Sequence, residues 1–143
     1  MGSHRSIVEK HYQGMNAGDL DHIDGLFHPD VETSMPGGEP THGTAAFKAT
    51  GQVFKRAFPD MKLELFRAAE GDNLVVAEGR MTGTHTGPLA SPQGDIPPTG
   101  RKISFDFADA FEIRDGKVVK HRLYFDQMVF LGQLGLLPEP QSV

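Results

Sequence analysis

Cysteine is absent from the 143 residues. Neither a disulfide framework nor thiol chemistry is available to this chain, which suits a reducing compartment. Tryptophan is also absent, and two Tyr stand against ten Phe. Such a bias builds an interior of plain aromatic surface, and its first use is core packing. No apolar run approaches the ~20 residues of a membrane span, and "MGSHRSIVEK" lacks the apolar centre of a signal peptide. No membrane association is therefore expected, and the cytoplasm is the expected location. Positive charge is scarce too: 14 Lys and Arg face 19 Asp and Glu, a net charge of -5. With no basic patch, nucleic acid is not an expected partner.

Several chemical signatures are missing as well. There is no H-E-x-x-H and no local two-His-plus-carboxylate spacing, so no metal is expected. No Gly-rich phosphate loop follows a strand, and no G-x-S-x-G elbow supports a serine nucleophile. No cofactor is expected.

What remains reads as one α+β domain spanning residues 1–143. Ile7, Val8, His11, Tyr12 and Met15 recur at three- and four-residue spacing and predict a helix over 3–16. "NAGD" breaks it. Asp19 is placed to cap a second helix with Leu20, Ile23, Leu26 and Phe27 on its apolar face, ending at "HPD". A short strand is expected at 31–35, then a turn-rich "PGGEPTHG". Thr44 is placed to cap a third helix carrying Phe47, Gly51, Phe54 and Phe58.

After residue 60 the apolar period falls from about 3.6 to 2. Strands are expected over 61–69, 73–86, 101–113 and 117–125, with hairpin turns at "EGDN" and "RDGK". The connector 87–100 holds four Pro and three Gly, which rules out regular strand and fits either a flap or an irregular crossover. A closing helix is expected over 127–136, with a tail from about 137. Helices followed by a meander of long strands predict a curved antiparallel sheet wrapped around the N-terminal helices. Such a cone has an apolar interior and can admit a small molecule.

Polar residues that interrupt apolar rows are the candidate site. Along 101–113, Ile103, Phe105, Phe107, Asp109, Phe111 and Ile113 share one face. Asp109 is the only polar member, and a carboxylate there needs partners, a proton or a wet cavity. Phe107 lies on the same face. Asp126 follows a strand on which neither alternating face is cleanly inward; it reads either as a pocket acid or as the cap of the helix after it. Arg80 reads as an exposed residue of the outer sheet or as a pocket cation. Tyr12 is positioned to offer its hydroxyl to the pocket or to pack in the core. His42 and His85 fall near loops at the expected rim.

The segments "YQGMNAGDLDHIDGLFHPDV", "HGTAAF", "AFPD" and "RDGKVVKHRLYFDQMVFLGQLG" together resemble SnoaL-like polyketide cyclases, of the nuclear-transport-factor-2-like superfamily. The resemblance runs over nearly the whole chain in the same segment order. It implies the helix-plus-cone fold and a cofactor-independent intramolecular aldol condensation that closes a ring in an aromatic polyketide. It also implies that the acid late in the final strand, Asp126, is the general acid/base, and that Tyr12 shapes stereochemistry. The family's final strand often reads His-Trp before that Asp; here His121 is followed by Arg122, a charge in place of a pocket-wall aromatic. A His that the cyclases contribute from the penultimate strand is missing, and Asp109 stands in that neighbourhood. By resemblance a homodimer or homotetramer is expected.

The sequence thus sets Asp126, Asp109 and Arg80 as candidate catalytic residues. Tyr12, His42, His85, His121, Arg122 and Phe107 are candidate contacts to a small hydrophobic or aromatic polyketide-like substrate. Two alternatives use the same cone. Paired Asp109 and Asp126 with Arg80 suit epoxide hydrolysis, or isomerisation of a small ketone. A non-catalytic binding module is the reading if Asp126 only caps the last helix and Phe side chains fill the interior.

Overall fold

The structure, a computed structural model, describes residues 4–137. Its elements follow the change of period. Helices α1 (His4–Ala17), α2 (His22–Leu26) and α3 (Thr44–Ala57) come early, with strands β1 (Phe27–Ser34) and β2 (Thr41–His42) among them. The long strands β3 (Lys62–Glu70), β4 (Leu74–Thr84), β5 (Lys102–Arg114) and β6 (Lys117–Phe125) follow, and α4 (Gln127–Gln133) closes the fold.

Two local differences have simple causes. Phe27 leaves the second helix and opens β1, because its ring is buried against the sheet rather than on a helix face. Gly43, not Thr44, is the residue before α3, and its φ of 95° suits glycine alone. The turn joining β5 to β6 is as expected from "DG": Asp115 and Gly116 have φ of 49° and 76°, the left-handed pair that a tight hairpin requires.

The six strands form one sheet in the order β2-β1-β6-β5-β4-β3. It is mixed rather than wholly antiparallel, since β1 runs parallel to β6. That pairing brings the early strand beside the last one, and the sheet curls around α1 and α3. Each inward row alternates as a half-buried strand should: Val75, Ala77 and Met81 on β4, and Ile103, Phe105, Phe107, Phe111 and Ile113 on β5, are buried.

β6 is the exception, and its irregularity decides the site. Ile113 pairs with Val118, but Glu112 pairs with Lys120, so Val119 is an extra residue on β6. A bulge of this kind shifts the side-chain phase by one. Val118 faces inward before it; His121, Leu123 and Phe125 face inward after it. Uniform alternation does not see this.

The connector 87–100 is a tied-down crossover. Leu89 and Ile96 form a small antiparallel bridge, Leu89 is buried, and the N–H groups of Thr86 and Gly87 both donate to the Ala57 carbonyl. The expected tail from 137 lies almost wholly outside the described residues.

Candidate active site

Asp109 sits near the middle of β5 and is 4% exposed. A carboxylate at that depth is costly unless each oxygen has a donor. Both do: the Tyr12 hydroxyl on α1 donates to Oδ2 at 2.5 Å, and His121 Nε2 lies 2.8 Å from Oδ1. Since a carboxylate only accepts, His121 donates through Nε2–H. The cross-strand register explains the contact. Phe111 pairs with His121 and Asp109 with Leu123, so His121 meets Asp109 as a diagonal neighbour on the inner face. The imidazole is also stacked on Phe111, with ring centres 4.8 Å apart. Burial, then the Asp109 charge, pushes the Tyr12 hydroxyl well above the usual phenol range. Tyr12 therefore stays a protonated donor.

A second imidazole pair stands beside this cluster. His11, one residue before Tyr12 and buried, approaches His22 with Nδ1 2.8 Å from His22 Nε2. His22 Nδ1 in turn meets the backbone carbonyl of Asp19. The His11 and His121 ring centres are 6.1 Å apart. Burial chiefly, then the neighbouring His121 and His22, holds the His11 pKa well below the ordinary imidazole value.

These groups border a cavity of about 280 Å³. Asp109, His121 and His11 supply its polar end; Phe47, Phe54, Phe105, Phe107, Leu123 and Phe125 supply much of its wall. Met15, Met35, Met61 and Met81 also line it, and their flexible thioether chains let the wall adapt to a bulky ligand. Exposed Gly38 and Glu39, in the connection from β1 to β2, mark its opening. Among the described residues, neither Lys nor Arg lines it. Nor do any three His, Cys, Asp or Glu side chains there form a group able to hold a metal.

The structure brings together Asp109, Tyr12, His121 and Phe107 of the sequence-derived set. Tyr12 reaches the site indirectly, its hydroxyl bound to Asp109. The remaining residues lie elsewhere. Asp126, expected to face the pocket, comes one position after inward Phe125 and is the N-cap of α4, its Oδ1 accepting from the N–H groups of Met128 and Val129 at 3.0 and 3.2 Å. It borders a shallow groove with Arg80, Ser104 and Asp106, apart from the cavity. Arg80 is on the outer face of β4, 2.8 Å from Asp106 and over the Phe66 ring. Arg122 also faces outward, its Nη1 2.7 Å from Glu112, so no charge replaces the wall aromatic. His42 is exposed beside Glu32. His85 is enclosed, its ring tilted against Phe58 and tied through Nδ1 to Thr99, away from the cavity wall. No residue of 87–100 lines the cavity.

These placements remove the paired-carboxylate arrangement, because Asp109 and Asp126 do not share a cavity. Asp126 does cap the last helix, yet the Phe side chains leave the interior open rather than filling it. The acid and the imidazole occupy β5 and β6, the reverse of the strands that the resemblance implied. His11 was legible only as part of an apolar helical stripe; the signal for its contact with His22 was a second His eleven residues later, which no local spacing rule picks out.

The sequence profile of the SnoaL-like domain matches residues 8–121. A nogalonic acid methyl ester cyclase of Streptomyces nogalater is 31% identical over 122 residues, covering 84% of this chain and 88% of that protein. The crystal structure of IdmH from Streptomyces antibioticus, assigned as a polyketide cyclase, superposes with a TM-score of 0.78 at 26% identity, covering 94% of this chain and 99% of that one. A SnoaL-like protein of Jannaschia sp. CCS1 gives a TM-score of 0.84 at 20% identity over 94% and 93% of the two chains, a likeness of fold.

Proposed function

The chain belongs to the SnoaL-like domain family, and from that premise we propose that it is an acid–base enzyme that closes a ring in a polyketide-like substrate by intramolecular aldol condensation. The observation that carries this reading is the Asp109 carboxylate, fixed by Tyr12 and His121 at the polar end of an otherwise apolar cavity. The name of the S. nogalater relative, a cyclase of nogalonic acid methyl ester, supports the substrate class.

Asp109 takes a proton from a carbon flanked by carbonyl groups. Such a C–H is acidic enough for a carboxylate to serve as base. The C–H electron pair becomes an enolate, whose carbon attacks a second carbonyl of the same molecule. A C–C bond forms, the carbonyl π pair moves to oxygen, and the Asp109 carboxyl returns its proton to that alkoxide. Tyr12 and His121 hold the carboxylate in one orientation, and the Phe and Met walls keep the two reacting carbons together.

The test is turnover of nogalonic acid methyl ester by the wild type, Asp109→Asn and Asp126→Asn. General acid–base catalysis contributes roughly 10²–10⁴-fold, so Asp109→Asn is expected to lose about that much while Asp126→Asn retains wild-type turnover. Activity lost in Asp126→Asn and kept in Asp109→Asn would overturn the assignment. No turnover of this ester or of related polyketide esters by the wild type would overturn the cyclase reading.

A further inference from the structure

We propose that His11, its tautomer held by His22, is a second proton acceptor in the cavity and receives a hydroxyl of the ligand, which places compounds with an enolic or phenolic O–H in this site. The inference deepens the reading of the cavity as the substrate site and rests on it.

The proton positions follow from the acceptors. The Asp19 backbone carbonyl can only accept, so His22 Nδ1, which meets it, carries a hydrogen. In a neutral ring the other nitrogen, Nε2, then has a lone pair. His11 Nδ1 lies 2.8 Å from it and so must be the donor. By the same rule His11 Nε2 is left with a lone pair. Unlike His121 Nδ1, it is not enclosed without a partner; it belongs to a ring that forms part of the cavity wall. A free imidazole in water favours the opposite tautomer, so His22 imposes this one.

A second, independent feature shows that the contact is built. Gly14 lies within α1, where glycine is a poorer helix former than alanine. A Cβ at Gly14 would overlap the His22 ring. The bare backbone seats His22 against α1 and within reach of His11.

The donors in contact with Asp109 are already committed. The Tyr12 hydroxyl and His121 Nε2–H both serve Asp109, and no Lys or Arg lines the cavity among the described residues. The polar end therefore offers acceptors, Asp109 and His11 Nε2, to whatever enters. A ligand that brings only carbonyl, carboxylate or phosphate oxygens desolvates His11 Nε2 without giving it a donor and sets its lone pairs against the Asp109 charge, whose oxygens are already held by Tyr12 and His121. A ligand with a hydroxyl gives His11 the donor it lacks. The low pKa of His11, caused first by burial, keeps it in the accepting form near neutral pH.

The experiment uses the full chain with ¹⁵N-labelled histidine, together with calorimetric titration by 1-naphthol and 1-methoxynaphthalene. Expected are an Nδ1–H resonance for His11 and about tenfold tighter binding of the naphthol, one hydrogen bond's difference. In His22→Phe and Gly14→Ala the gap is expected to shrink to threefold or less, since the first removes the imidazole that holds His11 and the second displaces it with a methyl group. An Nε2–H resonance for wild-type His11 overturns the proposal, and so does a naphthol preference that is absent in the wild type or undiminished in both variants. Binding of neither compound overturns the aromatic-ligand reading of the cavity, a separate failure, and the nitrogen spectrum then decides the proposal alone.

Discussion

Tyr12→Phe removes one oxygen and nothing else from the site, so its consequence can be worked from the contacts. Tyr12 and Asp109 are each 4% exposed, and the hydroxyl is the partner of Asp109 Oδ2 at 2.5 Å. A hydrogen bond to a charged group contributes about 1.5–3 kcal/mol. The cost should stay below the roughly 3–5 kcal/mol of stripping a buried ion of its partner, because His121 still holds Oδ1 at 2.8 Å. For a chain of this length, at about 2–4 °C per kcal/mol, the melting temperature should fall by roughly 3–12 °C. Urea unfolding followed by circular dichroism gives the free energy directly. A double-mutant cycle with Asp109→Asn isolates the pair and should return a coupling of at least about 1 kcal/mol. Tyr12→Phe within about 0.5 kcal/mol of wild type, together with additive effects in the cycle, would refute the carboxylate network.

Two further outcomes follow from the same contacts. His11 is buried neutral, with burial as the main cause of its lowered pKa. The unfolded chain binds a proton at that position near pH 6.5 while the folded chain does not, so stability is full above that pH and falls as pH drops below it, by up to about 1.4 kcal/mol per unit. His85 is shifted in the same direction by burial. Urea midpoints from pH 8 to 5 should show the decline, and His11→Gln should make it shallower; an equal slope in both proteins would contradict a buried neutral His11. Asp126→Ala removes a helix cap that accepts from two backbone N–H groups, and should cost about 0.5–2 kcal/mol while leaving turnover unchanged. A loss of turnover at wild-type stability would return Asp126 to the site.

The strand β5 shows how far sequence alone reaches. Six alternating residues from Ile103 to Ile113 dictate one face, and because burying five apolar side chains outweighs one carboxylate, that face turns inward and takes Asp109 with it. The same reasoning read the long strands, the "DG" hairpin and the helical stripe of α1 from spacing, since each depends on near neighbours in the chain. The resemblance carried the family but aimed at Asp126, whose other reading, a helix cap, was equally plain in the residues and is the one the fold adopts.

Tertiary structure decided the rest. One extra residue, Val119, rephases β6 and sends His121 inward and Arg122 outward; a bulge is a property of the paired strand, invisible in the strand by itself. The parallel pairing of β1 with β6 likewise required the sheet to close around α1 and α3. Tyr12 and Asp109 are 97 residues apart in the chain, and His22, eleven residues after His11, reaches it across the bare backbone of Gly14. Local spacing determines which face a side chain occupies; which buried polar groups then satisfy one another is settled only when distant faces meet, because an unpartnered charge in that interior is too costly to leave alone.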